Sequence, residues 1–295
     1  MRQTITLKNF EIIKVFEPGA DDFDFIEKKF KIEKSDLEEI KNPYHLTDYD
    51  LRKFYSYFIF AFPQEENFLK ESLEIENVYL FFSKNFIIIF LDQKSKINEI
   101  IDSLIDDLKM TNTEKFVHYF VKKSIKIYYD LLKTINFEID FLEKNITSAN
   151  IDVLNKRSVF LLKNIIFLIT NIRSWQDIFA EIITQKYPNF RRYELWWQSL
   201  LDEINYINTK LEDFQLIVEA YQKSIENIIS NKINRNILLI TILQTIFLPP
   251  TLIASIYGMN VNLPFQTKNF AFWLLILIML GITLTFWFMI KKIQR

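Results

Sequence analysis

Hydrophobic and polar positions divide this chain into three stretches of different texture. Over the first hundred or so residues, short runs rich in β-branched and aromatic side chains alternate with polar segments. Ile12–Phe16, Tyr55–Phe62, Val78–Phe82 and Phe86–Leu91 predict strands, and Ser83-Lys84-Asn85 suits a hairpin turn between the last two. Asp22–Phe30 reads as a helix. Ser35 to Glu38 has the S-x-x-E spacing of a capping box, which predicts that a second helix starts there. A third is expected over about Ser95–Lys109. These elements predict an α/β domain over residues 1–111.

From Asn112 the pattern becomes almost wholly helical, with one helix expected over Thr113–Ile146 and another over Ile151–Gln185. Tyr187-Pro188-Asn189 interrupts it. No glycine or proline then occurs from Arg191 until Pro249, which predicts a single helix of about 65 residues, close to 100 Å at about 1.5 Å per residue. Along it Trp197, Leu200, Ile204, Ile207, Leu211, Phe214, Val218, Tyr221, Ile225 and Ile228 recur at alternating steps of three and four. That spacing is the seam of a packed helix. Residues 112–235 are therefore expected to form a helical domain and stalk.

The third stretch, 236–295, is membrane-like. Between Arg235 and Lys291 the only charged residue is Lys268. Ile237–Tyr257 and Phe270–Ile290 are each about 21 residues, enough to cross a bilayer core of about 30 Å. Lys232 and Arg235 precede the first segment, and Lys291, Lys292 and Arg295 follow the second. The positive-inside bias thus predicts cytoplasmic termini, an external loop over 258–269 and a short cytoplasmic tail. Pro249-Pro250 should kink the first crossing or loosen a turn.

Within that crossing Asn234, Ile237, Thr241, Gln244, Leu248, Thr251, Ser255 and Gly258 repeat the three-four alternation. Tight packing between helices accounts for isolated Thr and Ser residues. A long stripe that includes Asn and Gln fits a water-filled lumen better. Continued backwards at the same period, the line passes Ser230, Asn227, Lys223, Ala220, Leu216, Asp213, Thr209, Tyr206, Asp202 and Ser199. It lies roughly 200° from the apolar seam. One helix encloses nothing, so a lumen requires a homo-oligomer. Tyr257-Gly258-Met259-Asn260 closes the stripe at its outer mouth, where a permeating solute would be selected.

Composition removes several alternatives. The chain has no cysteine, hence no thiolate chemistry, and only 3 glycines, too few for phosphate-cradling loops. A net charge of −1 gives no reason to expect nucleic acid. His45 and His118 lie far apart and are expected to be structural. Acidic pairs such as Asp21-Asp22 and Asp106-Asp107 read as solvated helix faces, so an enzyme is not expected and no cofactor is implied.

Ser230-Asn231-Lys232-Ile233-Asn234, Thr245-Ile246-Phe247-Leu248-Pro249 and Ile256-Tyr257-Gly258-Met259-Asn260, followed by a second crossing, resemble the CorA magnesium-transporter family. The run from Leu37 through Asn42-Pro43 to Tyr49, Tyr55 and Phe58 is similar to that family's first domain. The resemblance implies a funnel-shaped homopentamer in a prokaryotic cell membrane, with passive influx of hydrated Mg2+ through a pore lined by the first crossing; Co2+ and Ni2+ come into consideration as well. It implies a ring of Asn260 carbonyls at the selectivity motif, pore-facing Asn234, Ile237, Leu248 and Thr251, and hydrophobic constrictions at Ile237 and Leu248. Mg2+ keeps its waters reluctantly exchanged, so Asn260 would meet the ion through its hydration shell. Neutral carbonyls bind weakly enough for release.

The chain departs from many relatives at three places. The outer loop has no acid and carries Lys268. Lys223 stands where an aspartate that senses cytoplasmic Mg2+ often lies, and Ser199 stands near a second such site, with Asp202 and Glu203 close by as a candidate regulatory site. Two other readings stay open. One is a zinc or other divalent transporter of the ZntB-like branch, which tends to have Gly-Ile-Asn where this chain has Met259. The other is a membrane-anchored scaffold or sensor that conducts nothing, which leaves the polar stripe unexplained.

Overall fold

The computed structural model describes the chain except residues 42–46, 53, 64–73, 108–109, 147–149, 185–193, 260–268 and 294–295. Asn42-Pro43, His45, the break at 187–189, Asn260 and most of the external loop therefore lie outside the described residues. The chain divides into two compact units, Met1–Lys223 and Ser224–Arg295.

The first unit opens on a six-stranded sheet. Its strands are β1 (Arg2–Thr6), β2 (Glu11–Val15), β3 (Asp48–Leu51), β4 (Ser56–Pro63), β5 (Ile75–Phe82) and β6 (Phe86–Phe90), in the order β1-β2-β6-β5-β4-β3. Every pair is antiparallel except β2 with β6. Ser83 N donates to Phe86 O at 2.9 Å and closes the hairpin expected at Ser83–Asn85. The four strands read from the sequence are the inner ones. The two that pattern reading misses, β1 and β3, are the edges, where little apolar surface is buried and the sequence shows no strand signal.

Both faces of the inner strands are covered, which explains why Phe86-Ile87-Ile88-Ile89-Phe90 is apolar throughout instead of alternating. Ile13, Val15, Tyr57, Ile59, Tyr79, Phe81, Ile88 and Phe90 form one cluster with Ile26 and Phe30 of helix α1 (Ala20–Phe30) and Leu37 of α2 (Lys34–Glu38). On the other face Phe60 packs against Phe120 and Trp175, at centroid distances of 5.8 and 4.7 Å. These belong to α4 (Thr113–Asn145) and α5 (Ile151–Thr184), which follow α3 (Lys96–Ile105).

Three details differ from the pattern. α2 starts at Lys34 with Glu33 as its N-cap, so Ser35 lies inside the first turn. Its hydroxyl donates to the adjacent Asp36 instead of capping. α3 ends at Ile105, because Asp106 forms the C-cap with its N–H on Asp102 O. Asp22 is not a merely solvated group: its carboxylate accepts from Gly19 N and lies 3.9 Å from both Arg2 and the N-terminal ammonium.

The sheet is tied to the helices by a buried polar network. Asn171 donates to Ala61 O at 2.6 Å and to the Tyr128 hydroxyl at 2.9 Å, and accepts from the Thr47 hydroxyl at 2.6 Å. Thr47 Oγ1 accepts in turn from Ala61 N and Trp175 Nε1. Each of these groups is buried, so each bond removes a desolvation cost that would otherwise fall on the fold. Helix α6 (Glu194–Tyr257) begins in the first unit. The second unit holds the remainder of α6, together with α7 (Asn269–Ile293).

Candidate functional site

Helix α6 carries two faces in the first unit. Trp197, Leu200, Ile204, Ile207, Leu211 and Val218 are buried and Phe214 and Tyr221 are half-buried, so the apolar seam is the packing face. Ser199, Asp202, Tyr206, Thr209, Asp213, Leu216, Ala220 and Lys223 are all exposed. An α-helix turns about 100° per residue, which holds these two sets on opposed faces over seven turns. Exposure on the second face extends to apolar members: Leu216 is 66% exposed and Tyr206 51%. Glu203 is half-buried and Asp202 exposed. Among the described residues no three His, Asp or Glu side chains are placed to hold a metal ion.

The start of α6 rests on an aromatic cluster. Trp197 packs at 5.5 Å from Phe179, and His118 of α4 lies 4.8 Å from the Trp196 ring and 5.8 Å from the Trp197 ring. His118 is 6% exposed and its Nδ1 has no hydrogen-bond partner among the described residues. Burial, with the nearby Lys122 ammonium adding to it and a hydrogen bond to the Trp196 backbone opposing it, holds the imidazole pKa down to about 4. The ring is therefore neutral at pH 7 and acts as a packing element, as expected for a structural histidine.

A separate cavity of about 360 Å³ lies at the C-terminal edge of β6, lined by Glu76, Asp92, Ser95 and Asp130 among others. Burial raises the Glu76 pKa, against hydrogen bonds from the Ser95 hydroxyl and the Asp92 backbone. Ser95 is already committed as the cap of α3, accepting from Ile97 N at 2.8 Å. Among the described residues that line the cavity, none belongs to α6.

In the second unit Ser230, Asn234, Ile237, Thr241, Gln244, Leu248, Thr251, Ser255 and Gly258 are exposed, but so is every residue from Ser230 to Thr241. Exposure there does not separate the stripe from its neighbours; the polar side chains themselves do. The helix continues through Pro249 and Pro250. These prolines remove the ladder bonds to the carbonyls of Thr245 and Ile246. Threonine hydroxyls turn back onto the same ladder: Thr241 donates to Ile237 O at 2.9 Å and Thr251 to Phe247 O at 2.7 Å. With its proton committed to the backbone, each of these oxygens presents only acceptor lone pairs to its surroundings.

Helix α6 ends at Tyr257, where Gly258 N donates to Ala254 O at 2.9 Å and Met259 N to Ile256 O at 3.2 Å. A β-carbon on Gly258 would stand 3.2 Å from the Ala254 carbonyl oxygen. Because that neighbour is backbone, any larger residue would have to loosen the last turn. Tyr257 is half-buried and Met259 is 55% exposed. Among the described residues, two stretches are long and apolar enough to cross a membrane, one in α6 and one over Phe272–Met289 of α7.

A family model described as CorA-like Mg2+ transporter protein matches residues 8–292. The chain is 25% identical over 232 residues to the cobalt/magnesium transport protein CorA of Thermotoga maritima, covering 76% of this chain and 65% of that relative, just under two thirds of its length. Its fold matches the complete structure of the CorA magnesium transporter from Methanocaldococcus jannaschii with a TM-score of 0.77 at 16% identity, over 98% of this chain and 92% of the other. The ZntB cytoplasmic domain from Vibrio parahaemolyticus also matches, with a TM-score of 0.61 at 10% identity over 76% of this chain and 90% of that one. With an N-terminal α/β domain, a long helix and two C-terminal apolar helices, the chain belongs to the CorA-like Mg2+ transporter family, a family of transport proteins and not of enzymes.

Proposed function

We propose that this chain assembles as a homopentamer in a prokaryotic cell membrane and conducts hydrated Mg2+ inward, down the membrane potential, through a pore lined by the first crossing. Both termini lie in the cytoplasm in this reading, and the transported ion is cargo, not a resident cofactor. The observation that carries it is the two-faced character of α6: its apolar seam is consumed by packing inside the chain, while the opposed line from Ser199 to Lys223 is left open to solvent. A line in the same three-four register supplies Asn234, Thr241, Gln244, Thr251 and Ser255 in a segment otherwise made of Ile, Leu and Phe. Polar groups in such a segment are stabilised by water or by each other, not by lipid.

The chemistry of that line suits a hydrated cation. Amide oxygens and threonine oxygens whose protons are already donated inside the helix accept hydrogen bonds from the ion's waters without replacing them. Ile237 and Leu248 interrupt the polar line and supply its hydrophobic constrictions. Tyr257, Gly258 and Met259 lead to Asn260, to which the reading assigns the selecting ring of carbonyls. The membrane potential contributes about 2.3 kcal/mol per charge per 100 mV, so a divalent ion needs no further energy source.

Flux of Mg2+ into liposomes carrying the full chain tests the reading. Asn260→Ala is expected to abolish selective flux; retention of wild-type, Mg2+-selective flux by that variant would remove Asn260 from its role. A second reading, a zinc or other divalent transporter, is favoured by the likeness to the ZntB cytoplasmic domain. Hexaammine cobalt imitates hydrated magnesium, so block of flux by it supports the first reading and insensitivity supports the second.

A further inference from the structure

Lys223 is the feature of α6 that the pore reading leaves without a purpose. It is exposed, and it is the only basic residue on the line that runs in register from Ser199 to Gly258. Among the described residues its ammonium takes part in no hydrogen bond or ion pair. The nearest acids at helical spacing along α6 are Glu219, four residues before, and Glu226, three after. At about 100° per residue they lie roughly 40° and 60° to one side of Lys223, off the line itself. Glu219 is engaged by Gln215 Nε2 at 2.8 Å. Towards the amino end of α6 the charged members of the line are Asp213 and Asp202, both acidic and both exposed.

We propose that Lys223 is an electrostatic throttle on cation flow. The inference rests on the pore reading: when α6 from each chain faces a common axis, Lys223 forms a ring of ammonium groups on the cytoplasmic part of the path. Acids displaced to one side face the neighbouring chains and offset the ring only in part. The ring lowers the local concentration of any cation, and a divalent ion feels twice the repulsion of a monovalent one. Screening acts over about 8 Å at physiological ionic strength, a distance comparable with the reach of a lysine towards an axis, so the barrier survives in the cell but weakens with added salt. Lys223 thus sets how fast the pore runs and not which divalent ion it selects.

The test is Mg2+ flux into liposomes from the full-length protein and its variants K223Q, K223R and K223E, with N260A as the reference for a disabled pore, each at low and at high ionic strength. At low ionic strength K223Q should conduct on the order of threefold to tenfold faster than wild type, K223E faster still, and K223R like wild type. High salt should compress these differences. Substitution at an exposed position changes folding stability little, and elution of each variant at the wild-type volume checks assembly. Equal flux in K223Q and wild type at low salt, or K223R behaving like K223Q, or a difference indifferent to salt, overturns the throttle alone. Wild-type flux no greater than that of N260A overturns the pore reading, and the throttle with it.

Discussion

Acidification should loosen the seat of α6 through a single residue. His118 is 6% exposed, its Nδ1 is unpaired among the described residues, and its folded pKa is depressed from 6.5 to about 4. The folded state therefore favours neutral imidazole, and the unfolded chain takes up the proton first. Stability from this residue is complete above pH 6.5 and is lost as pH falls from there through about 4. One pKa unit corresponds to about 1.4 kcal/mol, so the loss at pH 4.5 is about 2.5 kcal/mol, a sizeable share of a typical folding stability of about 5–15 kcal/mol. Denaturant unfolding of the detergent-solubilised full chain, followed by tryptophan fluorescence at pH 7 and pH 4.5, measures it. The comparison with His118→Phe isolates it, since phenylalanine keeps the aromatic contacts with Trp196 and Trp197 and cannot titrate. Other groups move in the same interval: the lowered Asp36 destabilises on acidification and the raised Glu76 stabilises, but both are present in each protein. Should wild type and His118→Phe lose the same stability between the two pH values, the imidazole is not held neutral by the fold and the assignment fails.

Two further outcomes separate the faces and the ties of the helical region. Ile207 is fully buried on the seam and Thr209 is exposed on the opposed line, so Ile207→Asp should cost about 3–5 kcal/mol or prevent folding while Thr209→Asp stays within about 0.5 kcal/mol, as read by thermal unfolding in detergent. Arg157 grips the buried carboxylate of Glu138 with two bonds of 2.6 and 2.9 Å, so Arg157→Met should cost about 3–5 kcal/mol, and adding Glu138→Leu should recover most of it because no charge is then left buried alone.

Legibility in the sequence followed burial. Ile12, Phe60, Phe81 and Ile88 sit in strands covered on both faces, and their runs announced strands whose bounds the structure moves by one to three residues. Arg2–Thr6 and Asp48–Leu51 are edge strands; Arg2, Thr4 and Asp48 have no reason to be apolar, and only the neighbouring strand's unsatisfied backbone calls them into the sheet. The seam of α6 was readable from Trp197 to Ile225 because a helix that packs must repeat its apolar residues at helical period. What sequence could not reveal was the tertiary chemistry joining distant positions. Thr47, Asn171 and Trp175 meet in one network across 124 and 128 residues of separation, and nothing local in Thr47 hints at it. The neutral seat of His118 against Trp196 is of the same kind. For the candidate pore line, periodicity located Asn234, Thr241 and Gln244, whereas the inward bonding of the Thr241 and Thr251 hydroxyls depends on rotamers that spacing does not fix.

The second unit makes the membrane argument quantitative. More than a dozen large apolar side chains are exposed there, among them Leu239 at 53%, Leu243 at 56%, Phe247 at 63%, Trp273 at 69% and Leu277 at 70%. Burying such a side chain fully is worth about 1.5–3 kcal/mol, so leaving them all in water would cost tens of kcal/mol, more than the whole stability of a typical domain. These side chains are compatible only with an apolar surround, supplied by lipid or by neighbouring helices. Asn234, Gln244 and Ser255, exposed in the same segment, gain nothing from lipid and lose their hydrogen bonds in it. One surface cannot face lipid all round and satisfy both sets. Polar side chains in such a segment are satisfied by other polar groups or by water, which is what the proposed pore supplies when several copies of α6 turn their polar lines towards one another.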